Sequence, residues 1–314
     1  MMTQRTDQPP MAATARRSTR APFIVIALVV VLGLAGPLIL HFGQKRHNVL
    51  PFDVAVQFPA DKPIVGGEVF ASAVIAIMEH ELGGWTGWRP NDFALWGPQL
   101  WADNNANRQL GIIQALRESV RVLKDHLTKV SSNEFDHNLV DADTDFRNDA
   151  ERLWLPSAES RFRDGVNHLK AYVAGLHATP PTSKPINQRN VELIRLFQAW
   201  SDLLGDAHAN LYRQPESAWK TDDDFYHAQG FAHVMYYLVQ AVGREYQHEF
   251  ETKPVVRTLF DEVAAALGQA AVLKPLIVLD GGPNGLFANH RRNLDAYIGE
   301  ARQKMYSIRE ELEK

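Results

Sequence analysis

The sequence has 314 residues, of which 45% are hydrophobic and 22% are charged, the ordinary balance of a globular protein. Its formal net charge of −4 at pH 7 argues against nucleic-acid binding, which needs a concentrated basic surface. Because the chain contains no cysteine, it has neither a disulfide framework nor a cysteine nucleophile.

The N-terminal part divides into a polar tail and an apolar run. Residues 1–20 are too polar to bury a core, which predicts a disordered tail. Residues 21–42 contain no Asp, Glu, Lys or Arg. About 20 apolar residues in a helix cross a hydrocarbon core of roughly 30 Å, and a helix satisfies its own backbone hydrogen bonds in lipid. The sequence therefore predicts a transmembrane helix at residues 21–42, with the lipid bilayer as its partner.

A cleaved signal peptide is the alternative interpretation of this run. Gly33-Leu34-Ala35 fits the small-x-small pattern of a cleavage site. The apolar run nevertheless continues through residues 37–40 and is longer than the roughly 7–15 residues of a signal-peptide core. We therefore interpret the run as an uncleaved anchor.

The flanking positive charges predict the orientation of this anchor, because cytoplasmic flanks carry more Lys and Arg. Four arginines precede the run and fewer cations follow it closely, namely Arg5, Arg16, Arg17 and Arg20 before it and Lys45, Arg46 and the more distant Lys62 after it. We expect a single-pass protein of a bacterial inner membrane, with a cytoplasmic N-terminus and a periplasmic C-terminal domain.

The chain after the anchor predicts an all-α fold. Residues 43–63 contain three prolines and form a tether, within which residues 52–56 are predicted to be extended. Residues 105–130 carry apolar side chains at spacings of three and four, and residues 134–155 repeat the pattern as far as Leu153. These two segments predict a helical hairpin with arms of similar length.

Further helices are predicted across the rest of residues 64–314. The apolar segment 68–82 is expected to be buried in the core, and the helix after residue 221 to be the central helix of the second half. A Pro-rich connection at 179–187 is a possible subdomain boundary, and only residues 276–279 have strand character. The remaining helices are expected at residues 157–176, 190–212, 254–273 and 286–314. The predicted architecture is a mainly antiparallel, bundle-like head.

No metal or cofactor site is evident in the sequence. Asp141, Asp143 and Asp145 are spaced like the start of a calcium loop, but Phe146 occupies the position of the turn glycine and Arg152 that of the last glutamate. We therefore interpret these acids as one solvated helix face. No Gly-rich phosphate loop is present either.

A weak enzymatic signal surrounds Glu79 and Glu81. Lytic transglycosylases have a helix that ends in a catalytic Glu and is followed by a Gly-Leu-Met-Gln-like run, which residues 111–114 resemble. A Glu whose pKa is raised by an apolar pocket could protonate a glycosidic oxygen. The spacing is wider than in that family, and Leu82 stands where a Ser is usual.

The segment Trp85–Trp101 holds four of the seven tryptophans and permits three interpretations. The rings could pack between helices, rest at a membrane interface, or line a pocket for a sugar or peptide. The pocket would include aromatic, amide and charged side chains, namely Trp85, Trp88, Arg89, Asn91, Asp92, Asn104 and Arg108.

Two stretches carry a resemblance to a known family. Residues 84–92, GWTGWRPND, and residues 288–294, ANHRRNL, resemble the uncharacterised bacterial family of domain of unknown function 2333. The resemblance covers nearly all of residues 49–312 and implies a proteobacterial inner-membrane protein, without an implied activity.

The function that the sequence favours is that of a membrane-anchored, non-enzymatic scaffold or accessory subunit that binds a protein partner. The alternative is a module that binds or cleaves cell-wall glycan or peptide, centred on Glu81 and the segment Trp85–Trp101. An enzyme should have a pocket with a convergent carboxylate, whereas a scaffold should have an apolar groove.

Overall fold

The structure is a computed structural model that describes residues 20–84, 87–92, 103–128, 134–214, 220–275, 277–282 and 287–314. These residues form eleven α-helices and no strand, so the predicted all-α class is confirmed. In chain order they are α1 (Arg20–His47), α2 (Val54–Gln57), α3 (Glu68–Gly83), α4 (Asp103–Val122), α5 (His137–Phe146), α6 (Ala158–Leu176), α7 (Asn190–Tyr212), α8 (Thr221–Glu245), α9 (Gln247–Glu251), α10 (Pro254–Val272) and α11 (His290–Glu313), and α4 continues as a π-helical turn at Leu123–Leu127.

Helix α8 lies at the centre of the fold. It packs against α3, α4, α7, α10 and α11. Most of its side chains are buried, as expected of a helix that is apolar on several faces. The prediction of a central helix after residue 221 is confirmed, and so is the prediction that α3 lies in the core. The possible subdomain boundary at 179–187 stays a prediction.

Two glycines let α4 and α8 approach at their backbones. A Cβ atom at Gly111 would collide with the carbonyl oxygen of His227, and one at Gly230 would collide with the carbonyl oxygen of Arg108. Because both obstacles are backbone atoms, neither can move aside as a side chain would. Gly111 is therefore explained by helix packing.

The second arm of the predicted hairpin is shorter than the sequence suggests. Helix α5 ends at Phe146, whereas the apolar pattern predicted helix as far as Leu153. The guanidinium of Arg117 donates to the carbonyl oxygens of Phe146 at 2.6 Å and Asn148 at 2.5 Å, which satisfies carbonyls at the helix end. Leu153 consequently lies in an exposed loop instead of a helical seam.

Two smaller expectations about local structure were also wrong. Residues 52–56 are not extended, because Asp53 accepts hydrogen bonds from the backbone of Ala55 at 2.8 Å and Val56 at 3.2 Å and thereby begins α2. Residues 277–279 form no strand, and the described part of this connection contains one isolated bridge between Asp280 and Asn289.

Helix α1 covers the apolar run of the sequence. Its side chains from Pro22 to Leu32 are exposed, with Phe23 at 72%. Within the described residues, however, no helix combines the length and the hydropathy needed to cross a membrane. The predicted tail falls on residues 1–20, of which 1–19 lie outside the described residues, as does the predicted connection at 131–133.

Candidate functional site

A buried polar network occupies the junction of α3 and α4. The carboxylate of Glu81, which is only 1% exposed, accepts a hydrogen bond from Nη1 of Arg108 at 2.9 Å and one from Nε2 of Gln109 at 3.0 Å. Gln109 also donates to the carbonyl oxygen of Gly87 at 3.1 Å and accepts from the backbone N–H of Arg89 at 2.8 Å. The network therefore ties the segment after α3 to the first turns of α4.

The environment of Glu81 keeps its carboxylate charged. Burial alone would raise the pKa of Glu81, but the charge and the hydrogen bond of Arg108, with the hydrogen bond of Gln109, hold this pKa below its ordinary value. Both oxygens already accept hydrogen bonds. A carboxylate in this state is a poor proton donor, because a general acid needs a raised pKa and access to substrate.

The predicted pocket residues near Trp88 are engaged within the protein. Trp88 is buried, donates from Nε1 to the carbonyl oxygen of Ala150 at 2.8 Å and meets Phe162 edge to face. Asn91 donates from Nδ2 to the carboxylate of Glu159 at 2.7 Å. Arg89 forms an ion pair with Asp92. These contacts support the packing interpretation of this part of the segment.

The remaining predicted residues do not converge with this group. Glu79 lies on the surface and pairs with Lys170 at 2.5 Å, so it faces away from the Glu81 network. Asn104 is half-buried in the first turn of α4. Trp85, Trp96 and Trp101 lie outside the described residues, and the pocket that includes them stays a prediction.

A small cavity of about 70 Å³ lies beside Arg108, between α8 and the end of α10. Two atoms that line it, Nε2 of His233 and Oδ1 of Asn48, have no hydrogen-bond partner among the described residues. Burial, with the nearby Arg108 and His80, holds the pKa of His233 well below its ordinary range, so this imidazole is neutral. The volume suits about two water molecules, which could bond to both atoms.

A larger open groove of about 390 Å³ runs between α2, α8, α9 and α10. Its lining is partly apolar and includes the largely buried Phe58, Phe250 and Phe260. Arg244 in α8 holds the segment after α2 in place, because its guanidinium donates to the carbonyl oxygens of Phe58 at 2.9 Å and Pro59 at 3.0 Å. Ligand and peptide sites typically have this combination of an apolar lining and a few polar groups.

The described residues contain no group of three His, Asp or Glu side chains that could hold a metal ion. Asp141, Asp143 and Asp145 lie on helix α5, which confirms that this stretch is helix and not a loop. Asp143 pairs with Lys124 at 2.6 Å and with Arg147 at 2.9 Å. Asp145 pairs with Arg161 at 3.3 Å. The expectation of a solvated helix face was therefore wrong for two of these acids, because Asp143 and Asp145 are only 5% and 7% exposed.

The stretch 288–294 caps α11 and binds its start to the end of α7. Asn289 caps the helix by accepting from the backbone N–H of Arg292 at 2.9 Å. Arg291 is fully buried and donates to the carbonyl oxygens of Asn210 at 2.6 Å and Leu211 at 3.2 Å, at the end of α7. This part of the sequence therefore has a structural explanation.

Sequence reasoning missed several polar residues of these sites. Gln109, His233 and Glu245 were not selected from the sequence. Gln109 and Glu245 bind residues that are distant in sequence, and Nε2 of His233 has no hydrogen-bond partner among the described residues. The only sequence signal for them was a polar residue within an otherwise apolar helical pattern.

The fold and these sites define an all-α protein with a buried ion-pair network and an open apolar groove. The chain belongs to the family described as "Uncharacterized protein conserved in bacteria (DUF2333)", whose sequence model matches residues 15–213 and 201–314. The resemblance carried by residues 84–92 and 288–294 is thereby confirmed. The chain matches no curated protein and no solved structure.

Proposed function

We propose that this protein is a membrane-anchored scaffold or accessory subunit of the bacterial cell envelope. Residues 21–42 would anchor it in the inner membrane with the N-terminus in the cytoplasm. The helical domain would lie in the periplasm and bind a protein partner through the groove between α2, α8, α9 and α10.

The exposed apolar surface of α1 is the observation that carries this proposal. Helix α1 has 28 residues and is therefore about 42 Å long, which exceeds a hydrocarbon core of roughly 30 Å. Large apolar side chains such as Ile24 and Val31 are 65% and 60% exposed along it, and a contiguous exposed apolar surface favours lipid or protein contact. For residues 33–38 the proposal rests on the sequence.

Single-cysteine variants test the anchor and its orientation, because the natural chain has no cysteine. We expect the full-length protein to remain in the membrane after an alkaline carbonate wash. We expect Val191→Cys to react with a membrane-impermeant maleimide in spheroplasts, and Ser18→Cys to react only after lysis. A protein that the carbonate wash releases would contradict the anchor, and the reverse labelling pattern would contradict the orientation.

The groove supports the proposal of a protein partner. Apolar side chains from four helices line part of the groove, and an amphipathic helix typically places its apolar residues in a groove between helices. Arg257 and Asp261 both line the groove, so a partner helix would meet both a cation and an anion there. The environment of Glu81 supports a non-enzymatic role, because its carboxylate is charged, buried and hydrogen-bonded.

Site-specific photocrosslinking tests the groove. We expect a photoreactive residue at Gln247, which lines the groove, to give one discrete adduct in cells, and a photoreactive residue at Gln303, exposed on α11, to give none. Ala264→Trp, which fills the groove, should abolish the adduct. Identical adducts from both positions, or an adduct that survives Ala264→Trp, would contradict the proposal.

A further inference from the structure

The chain enters the helical domain from α1 at a definable end of the bundle. The residues just after α1 contact the domain there. The carbonyl oxygen of Asn48 accepts from Arg108 at 3.4 Å, and that of Leu50 accepts from the hydroxyl of Tyr237 at 3.4 Å. Leu50 itself is buried. We call this the proximal end of the domain.

A continuous set of contacts shows which other helix ends lie at the proximal end. Near Arg108, Asn107 at the start of α4 donates to Asp223 in the first turn of α8 at 2.7 Å. The neighbouring Asp224 pairs at 3.2 Å with Arg291, which begins α11 and binds the end of α7. The start of α4, the start of α8, the end of α7 and the start of α11 therefore lie together.

The loop between α5 and α6 and the end of α10 belong to the same end. Gln109 binds the backbone of Arg89, and the adjacent Trp88 binds the carbonyl oxygen of Ala150, which lies in that loop. Gln229 in α8 donates to the carbonyl oxygen of Leu273 at 2.6 Å, just after α10. The α5–α6 loop and the end of α10 therefore also lie at the proximal end, although they are distant from each other in sequence.

Large exposed hydrophobic side chains are concentrated at the proximal end. In the α5–α6 loop, Trp154 is 79% exposed and Leu155 is 92% exposed. Phe287, in the connection before α11, is 71% exposed. The other proximal side chains that are more than half exposed are Val49, Tyr212, Val272 and Ile277.

Elsewhere in the described part of the domain, the large hydrophobic side chains that are more than half exposed are all valines. Among the described residues after α1, the other large hydrophobic side chains that are more than half exposed are Val56, Val191 and Val255. Val191 and Val255 lie in the first turns of α7 and α10, at the end opposite to Tyr212 and Val272. The aromatic and longer aliphatic groups are therefore on the side where α1 joins the domain.

We propose that the proximal end rests in the interfacial region of the bilayer, with Trp154 and Leu155 of the α5–α6 loop and Phe287 before α11 inserted among the lipid headgroups. Trp and Tyr rings favour this region, and Leu, Ile and Phe side chains gain free energy on leaving water for the acyl boundary. The proposal rests on the proposed anchor, because α1 would bring this end of the domain next to the membrane. That continuity with an apolar helix is the reason to assign the surface to lipid and not to a protein partner.

Single-cysteine variants of the full-length, otherwise cysteine-free protein test this inference in reconstituted vesicles. An environment-sensitive fluorophore is attached at Leu155→Cys or Phe287→Cys, and the matched controls carry it at Val191→Cys or Val255→Cys. A fifth variant, Val29→Cys, reports on the anchor. Quenching is compared between lipids that carry a nitroxide near the ester groups and lipids that carry it near the chain ends.

We expect labels at the two proximal positions to shift to shorter emission wavelengths in vesicles and to lose most of their emission with the nitroxide near the ester groups. The two control labels should show neither change. Quenching at Val29→Cys without quenching at Leu155→Cys and Phe287→Cys would overturn this inference and leave the anchor intact. Loss of quenching at Val29→Cys as well would overturn the proposed anchor.

Discussion

The carboxyl group of Glu245 is expected to make the stability of the protein depend on pH. Glu245 is almost fully buried and caps α3 from a distant part of the chain. It accepts hydrogen bonds from the backbone N–H groups of Gly67 at 3.0 Å, Val69 at 2.8 Å and Phe70 at 3.1 Å. Burial raises the pKa of Glu245 to about 7, although these hydrogen bonds act in the opposite direction.

The sign of the effect follows from comparing the folded and unfolded states. Between pH 4.5, the ordinary pKa, and about pH 7, the folded protein holds a proton on Glu245 that the unfolded chain has released. Stability therefore falls as the pH rises through this window. A difference of roughly 2.5 pKa units corresponds to about 3 kcal/mol, and most of that loss should occur between about pH 5 and pH 8.

The variant Glu245→Gln tests this expectation, because a Gln side chain cannot lose a proton and resembles the protonated carboxyl. Urea denaturation of the full-length protein in detergent, followed by circular dichroism, gives the free energy of unfolding at each pH. We expect wild type to lose about 2–3 kcal/mol more than Glu245→Gln between pH 5 and pH 8. The exposed control Glu151→Gln should behave like wild type. Parallel curves for wild type and Glu245→Gln would refute the raised pKa.

Three further predictions use the same unfolding measurement. Gly230→Ala should lower stability by at least about 2 kcal/mol, because the added Cβ would collide with the backbone of α4. Gly243→Ala on the same helix has open space around it and should raise stability by about 0.5–1 kcal/mol. Equal effects of the two substitutions would contradict the packing argument. Glu81→Gln should cost roughly 3 kcal/mol, because Arg108 would be left buried without its counter-charge, and an unchanged midpoint would show that the pair contributes no stability. Asn289→Ala should lower the free energy of unfolding by about 1 kcal/mol, because α11 would lose its N-cap. An unchanged free energy of unfolding would show that this cap does not stabilise the protein.

Helix boundaries were predictable from the sequence where local signals determine them. Helix α7 begins and ends at the predicted residues, and α6, predicted over 157–176, begins at Ala158 and is capped by Ser157. The end of α5 could not be predicted, because it depends on Arg117, whose side chain comes from a different helix. The capping of α3 by Glu245 could not be predicted either, because Glu245 lies 175 or more residues after the backbone N–H groups that it binds.

The candidate site was predictable only as a set of residue types. The sequence singled out Glu81, Trp88 and Arg108, and the structure places all three in the interior. Their partners, among them Gln109 in α4 and the carbonyl oxygen of Ala150 in the α5–α6 loop, are brought to them by the tertiary fold. Sequence spacing carries no information about such contacts, so it could not distinguish a packed polar network from a ligand pocket.

The positions of Glu81 in α3 and of Glu245, which caps α3, show why we favour a scaffold over a glycan-cleaving enzyme. Opposite environments separate their pKa values, as in an acid–base pair, because Arg108 lowers the pKa of Glu81 against the effect of burial while burial raises that of Glu245. Glu81 lies near the end of α3 and Glu245 binds its first turn, so about 14 residues of helix, or roughly 20 Å, separate them. Glycosidases hold their two carboxyl groups within about 10 Å of each other, across one glycosidic bond. Glu81 and Glu245 therefore cannot act together on one substrate, and each is explained by the helix terminus or the cation that it stabilises.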